Sequence, residues 1–152
     1  MTIHIENRQK AVRIDLRRIR RVLRKLTEIQ DCPEREISLL LVDDEQIRCI
    51  NRQYLDRDRP TNVISFPLGE GDCGSVNPQI LGDIVISVER AVQDAAEGGL
   101  TLNEELDFLL IHGLLHLLGY QHEGVDENEA IKMTHKENEL FSMLHGYEPE
   151  RC

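Results

Sequence analysis

The sequence predicts a single α/β (α+β) domain, a small mixed β-sheet packed with helices. Three observations carry this. Short apolar, β-branched runs alternate with segments of helical periodicity. No internal repeat or low-complexity tract interrupts a chain that is 40% hydrophobic. Finally, 152 residues suffice for one core, since folding at that size buries about two thirds or more of the surface the unfolded chain exposes.

The elements follow in order. IHIEN, residues 3 to 7, alternates like a short strand. A helix is expected from about residue 9 to 30, stopping near Cys32-Pro33, with Val12, Leu16, Ile19, Leu23 and Leu26 as its inner stripe. REISLLLVDD, 35 to 44, reads as a buried strand, and Asp43 or Asp44 can cap the helix DEQIRCINRQYL, whose inner face is Ile47, Ile50 and Leu55. VISFPL at 63 to 68 is a strand ended by Pro67 and the turn-rich GEGDCGSVNP. ILGDIVISV, 80 to 88, is another, followed by the helix VERAVQDAAEGG, closed by Gly98 and Gly99. TLNEELDFLLIHGLLHLLG opens with Thr101 and Glu104 at capping-box spacing and ends at Gly119. A last helix covers roughly Glu127 to Leu144 and stops at Gly146.

The formal charge is 18 − 28 = −10, yet its distribution is uneven. Residues 8 to 26 hold nine Arg and Lys against Asp15 alone, and the C-terminal third is acidic. Polyanion affinity depends on local charge, so the outer face of the first helix, with Arg17, Arg18 and Arg21, is expected to hold phosphates; a plain solvated face is the alternative. No run approaches the roughly 18 apolar residues of a membrane span, and MTIHIENRQK lacks a signal-peptide core, so the cytoplasm is the expected compartment. Cys32, Cys49, Cys73 and Cys152 are scattered and read as reduced thiols.

Three of the six histidines crowd into IHGLLHLLGYQHEG, residues 111 to 124. His112 and His116, four apart on a helix, can direct two imidazoles at one point. Gly119 can turn the chain back in a left-handed conformation, bringing His122 toward the same point. Packing does not account for three histidines so placed, because each buried imidazole would need its own hydrogen-bond partner. The other three, His4, His135 and His145, read as ordinary core or surface histidines. Three neutral imidazoles suit one Zn(2+) per chain, leaving a fourth tetrahedral place for water whose pKa falls to about 7. The pattern H-x3-H-x2-G-x2-H is the histidine and glycine spacing of the metzincin proteases, except that Gly113 stands where those enzymes carry a glutamate base.

HGLLHLLGYQH resembles the signature of the YbeY family of bacterial rRNA maturation factors. DRPTNVISFP at 58 to 67 and LGDIVIS at 81 to 87 are similar to two further motifs of that family, in the family's order. The resemblance implies a mixed α/β domain with a metzincin-like metal site, His112, His116 and His122 as ligands, and single-strand endoribonuclease activity. It also implies ribosomal RNA, ribosomes or small-subunit precursors as partners, in maturation of the small-subunit RNA 3′ end and in ribosome quality control. Two positions depart from the pattern. Leu55 stands where the family commonly has arginine, and Arg57 or Arg59 is expected to supply that charge to RNA from a neighbouring position, with solvent-exposed loop charges as the alternative; Gln121 replaces an aspartate, with Glu123 and Asp126 the nearby acids.

Three functions remain open on the residues alone. A metal-dependent endoribonuclease would use phosphate contacts more than base stacking, since three Phe and three Tyr are the only aromatics. A metalloprotease-like hydrolase fits the spacing but lacks the base at Gly113. A non-catalytic ribosome-assembly protein would use the metal only to clamp helix to loop.

Overall fold

Residues 2–31, 35–68, 80–120 and 126–146 are described by a computed structural model of the chain. The apolar runs become strands β1 (Ile3–Asn7), β2 (Glu36–Val42), β3 (Val63–Pro67) and β4 (Ile80–Ser87). They form one sheet in the order β1-β2-β4-β3. β1 and β4 flank β2 in parallel, and β3 closes the far edge antiparallel to β4. Alternation assigns the two faces. Ile37, Leu39 and Leu41 of β2, with Ile84 and Ile86 of β4, enter the larger apolar core. Val42, Ile64 and Val85 enter a smaller cluster with Ile47 on the other side.

Among the described residues, five helices pack with this sheet: α1 (Leu16–Ile29), α2 (Asp44–Leu55), α3 (Val88–Gly98), α4 (Leu102–Leu117) and α5 (Glu127–His145). Four match the expected segments closely. α1 starts later than expected, and the reason is local. Asp15 caps it by accepting hydrogen bonds from the Arg17 and Arg18 amides. Upstream, the Gln9 side chain accepts from Val12 N and donates to Val12 O, and Arg8 N donates to Leu41 O, so residues 8 to 15 continue from the sheet edge. Val12 still packs on the core, which is why the helical stripe reads as extending to it. Leu55 also departs from expectation: it is 44% exposed, at the point where left-handed Asp56 ends α2. Cys49 is a free, exposed thiol, whereas Cys32, Cys73 and Cys152 lie outside the described residues. No helix among the described residues is long and apolar enough to cross a membrane.

α4 is the central helix, touching β3, β4, α1, α3 and α5. Two glycines let it lie close to the sheet. At Gly82 the β2–β4 register shifts, φ is +144°, and an added Cβ would run into the Phe66 carbonyl and come within 2.9 Å of Leu117 Cδ2. At Gly113 an added Cβ would sit 2.9 Å from the buried Ile84 Cγ2, and Ser65 Oγ donates to the Gly113 carbonyl at 3.2 Å.

Candidate metal centre

The site is built on α4. Its start is set by a reciprocal capping box: Glu104 N donates to Thr101 Oγ1 at 3.1 Å, and Thr101 N to Glu104 Oε1 at 2.9 Å. Its end is a Schellman turn. Gly119, at φ +100°, donates to the His116 carbonyl at 3.1 Å, and Tyr120 N donates to Leu115 O at 2.9 Å. Between these fixed ends, His112 and His116 face the same way. Their Nε2 atoms stand 3.1 Å apart, with ring planes inclined at 76°. Two nitrogens bound to one tetrahedral zinc at about 2.0–2.1 Å would be separated by about 3.4 Å, so the donor pair fits the ion that the spacing predicts.

Behind His112 lies a carboxylate that sequence reasoning missed. Glu137 of α5 is 5% exposed, and its Oε2 is 3.3 Å from His112 Nδ1. The available signal was its position at i+4 from Met133 and three and four before Leu140 and Phe141, all buried, so a charged residue occupies the inner face of an amphipathic helix. A second carboxylate, Asp107, lies five residues before His112 and is 1% exposed. It takes Arg18 of α1 in a two-pronged pair at 2.9 and 3.0 Å and His145 of α5 at 2.8 Å. The pairs Asp107–His145 and His112–Glu137 therefore fix α5 antiparallel to α4 at two points.

The structure brings His112 and His116 together; His122, Gln121 and Glu123 lie outside the described residues. The chain reversal at Gly119 occurs three residues before His122. Asp126 is exposed and caps α5, accepting from Glu129 N at 2.9 Å. Gly113 faces Ile84 and the sheet; a glutamate there would first have to displace core packing.

The cations divide. Arg17 and Arg21 are exposed along α1, whereas the Arg18 guanidinium turns inward to Asp107. Arg57 and Arg59 are exposed in the segment after α2, which is tied back by Arg48 to Asp58 at 2.9 Å and by Asn51 Nδ2 to the Arg59 carbonyl at 2.9 Å. A cavity of about 730 Å³, lined by residues including His4, Ser38, Leu40, Tyr54 and Phe66, opens on the sheet face opposite α4, and neither His112 nor His116 lines it.

Fold and site together define a mixed α/β protein whose central helix presents a His-x3-His pair backed by a buried carboxylate. The family model described as Endoribonuclease YbeY matches residues 4–145. A protein of Syntrophus aciditrophicus named Endoribonuclease YbeY is 59% identical over 147 residues, covering 97% of this chain and 92% of its own. One of the same name from Geobacter sulfurreducens is 46% identical, covering 95% and 96%. The solution structure of TM1509 from Thermotoga maritima superposes with a TM-score of 0.66 at 29% identity, covering 95% of this chain and 89% of that one. The chain belongs to the YbeY endoribonuclease family.

Proposed function

We propose that the chain is a metal-dependent, single-strand endoribonuclease of rRNA maturation, acting at the small-subunit RNA 3′ end and in ribosome quality control. One zinc ion would be held by His112, His116 and His122. The observation that carries this reading is the convergence of His112 and His116 Nε2 at 3.1 Å on a buried helix of an endoribonuclease family member. When bound, zinc supplies Lewis-acid stabilisation to the charge developing on a phosphodiester and makes water nucleophilic near neutral pH. The protein's own part is positional. Glu137 faces the outer nitrogen of His112, and α4 fixes both rings. Exposed Arg17, Arg21, Arg57 and Arg59 are the cations offered to backbone phosphates, while Arg18 serves as an anchor between α1 and α4.

A purely structural metal is less well supported. α4 is already secured by its capping box, by the sheet beneath Gly113 and by the Asp107 clamp. Chelation is therefore expected to abolish cleavage of single-stranded rRNA while leaving the helical circular dichroism in place; loss of the fold would favour the structural reading. The decisive comparison is wild type against His116→Ala on single-stranded rRNA, with metal analysis of both. Cleavage and bound zinc should both be lost, and cleavage persisting unchanged in the variant would overturn the proposal.

A further inference from the structure

A carboxylate buried on an apolar helix face carries a desolvation cost of several kcal/mol unless a partner offsets it. Glu137 is such a group, enclosed on α5 beside Met133, Leu140 and Phe141. Its Oε2 faces Nδ1 of His112 and not Nε2. A carboxylate oxygen is an acceptor, so Nδ1 is the ring nitrogen placed to donate in this contact, with the imidazole proton on it. That leaves Nε2 with its lone pair, on the side where His116 Nε2 stands 3.1 Å away. Imidazole rotation about its last side-chain bond is soft, so a fixed acceptor behind the ring also sets its direction.

We propose that Glu137 is a positioning residue for the histidine site. It holds His112 in the Nδ1–H tautomer with Nε2 presented, and so makes the donor pair competent before any ion arrives. The inference rests on the metal-site reading above, but the tautomer is a property of the protein alone. A glutamate retained only for helix packing would be replaceable by an apolar residue of similar volume without changing the ring. Carboxylates that orient a metal-binding imidazole typically contribute about 10- to 100-fold in metal affinity.

The test uses the full chain as purified. Long-range proton–nitrogen correlation spectra of the histidine rings should show His112 protonated at Nδ1 in wild type. In Glu137→Met that tautomer should give way to a mixture, and zinc affinity, measured by competition with a chromophoric chelator, should fall about 10- to 100-fold. Glu137→Gln, whose amide oxygen can still accept, should recover most of both. Wild type with His112 protonated at Nε2 overturns the inference without any variant, as does Glu137→Met with unchanged tautomer and affinity. If Glu137→Met does not fold, Glu137→Gln and the wild-type spectrum decide. If instead wild type binds no zinc, or His116→Ala binds it equally well, the metal-site reading fails, while the wild-type tautomer still decides the role of Glu137.

Discussion

α4 and α5 share two carboxylate–histidine pairs of the same chemistry and opposite arrangement. At one, the carboxylate belongs to α4 and the histidine to α5: Asp107 holds His145, whose ring also lies on Phe141 with centroids 4.6 Å apart. At the other the order reverses, with His112 on α4 and Glu137 on α5. What separates them is the company each keeps. Asp107 is filled from both sides, by Arg18 and His145, and joins three helices. Glu137 backs a histidine whose other nitrogen faces another imidazole. A buried carboxylate–histidine pair is thus not in itself a sign of chemistry; the Arg18 guanidinium on Asp107 makes one pair a clamp, and the second imidazole facing His112 makes the other a support.

Removing the clamp should have the largest effect on stability. Asp107→Ala leaves Arg18 and His145 facing an apolar gap, and loss of one partner from a buried pair typically costs about 3–5 kcal/mol. The side chains of Arg18 and His145 are each 20% exposed, so water recovers part of this and about 3 kcal/mol is expected. Urea denaturation measures it. The contrast with Glu137 then becomes sharp: Asp107→Ala should lower stability while leaving zinc affinity of the folded protein within a few-fold of wild type. Equal losses of zinc affinity on removing Asp107 and Glu137 would erase the distinction between the two pairs.

Gly113 provides the next test, because it lies beside a proposed ligand yet owes its identity to packing. Gly113→Ala would gain about 1 kcal/mol of helix propensity, but its Cβ meets the β-branched Ile84 at 2.9 Å. Overpacking of this kind costs about 1–3 kcal/mol, so net destabilisation of up to about 2 kcal/mol is expected from thermal or urea unfolding. Gly113→Glu should be worse and should gain no peptidase activity, since the new side chain points into the sheet. A stabilised Gly113→Ala would show that Ile84 and the sheet yield readily to the helix, and that packing does not fix the glycine.

How far the sequence discloses these roles depends on how local their signals are. The strands, the helix caps at Thr101 and Asp43, and the Gly119 turn are set within a few residues, and all appear where expected. The i, i+4 histidines are likewise local. The start of α1 is not legible in the same way, because Val12 keeps the helical stripe while Gln9 and Asp15 bind the backbone otherwise. Glu137 and Asp107 escape a sequence reading because their partners lie 25, 38 and 89 residues away. Sequence could only have flagged them as acids on apolar helix faces. For Arg18, it could not tell an inward arginine from the exposed Arg17 and Arg21 beside it.

That last ambiguity yields the smallest and most specific expected effect. Arg17, Arg18 and Arg21 are near neighbours on α1, but only Arg18 is engaged by Asp107. If Arg17 and Arg21 contact phosphates, each replacement by alanine should weaken single-stranded RNA binding about equally across sequences. It should also reduce the slope of log affinity against log salt by about 0.7 for each phosphate no longer neutralised. Their effect on unfolding should stay within about 0.5 kcal/mol, as for other exposed positions. Arg18→Ala should do the reverse, leaving the salt slope nearly unchanged and destabilising the fold, because it uncovers the same Asp107 that the first variant removes. The double variant Arg18→Ala with Asp107→Ala should accordingly cost less than the sum of its parts. A salt slope that falls equally for all three arginines would instead place Arg18 on the RNA-binding face and take it out of the clamp.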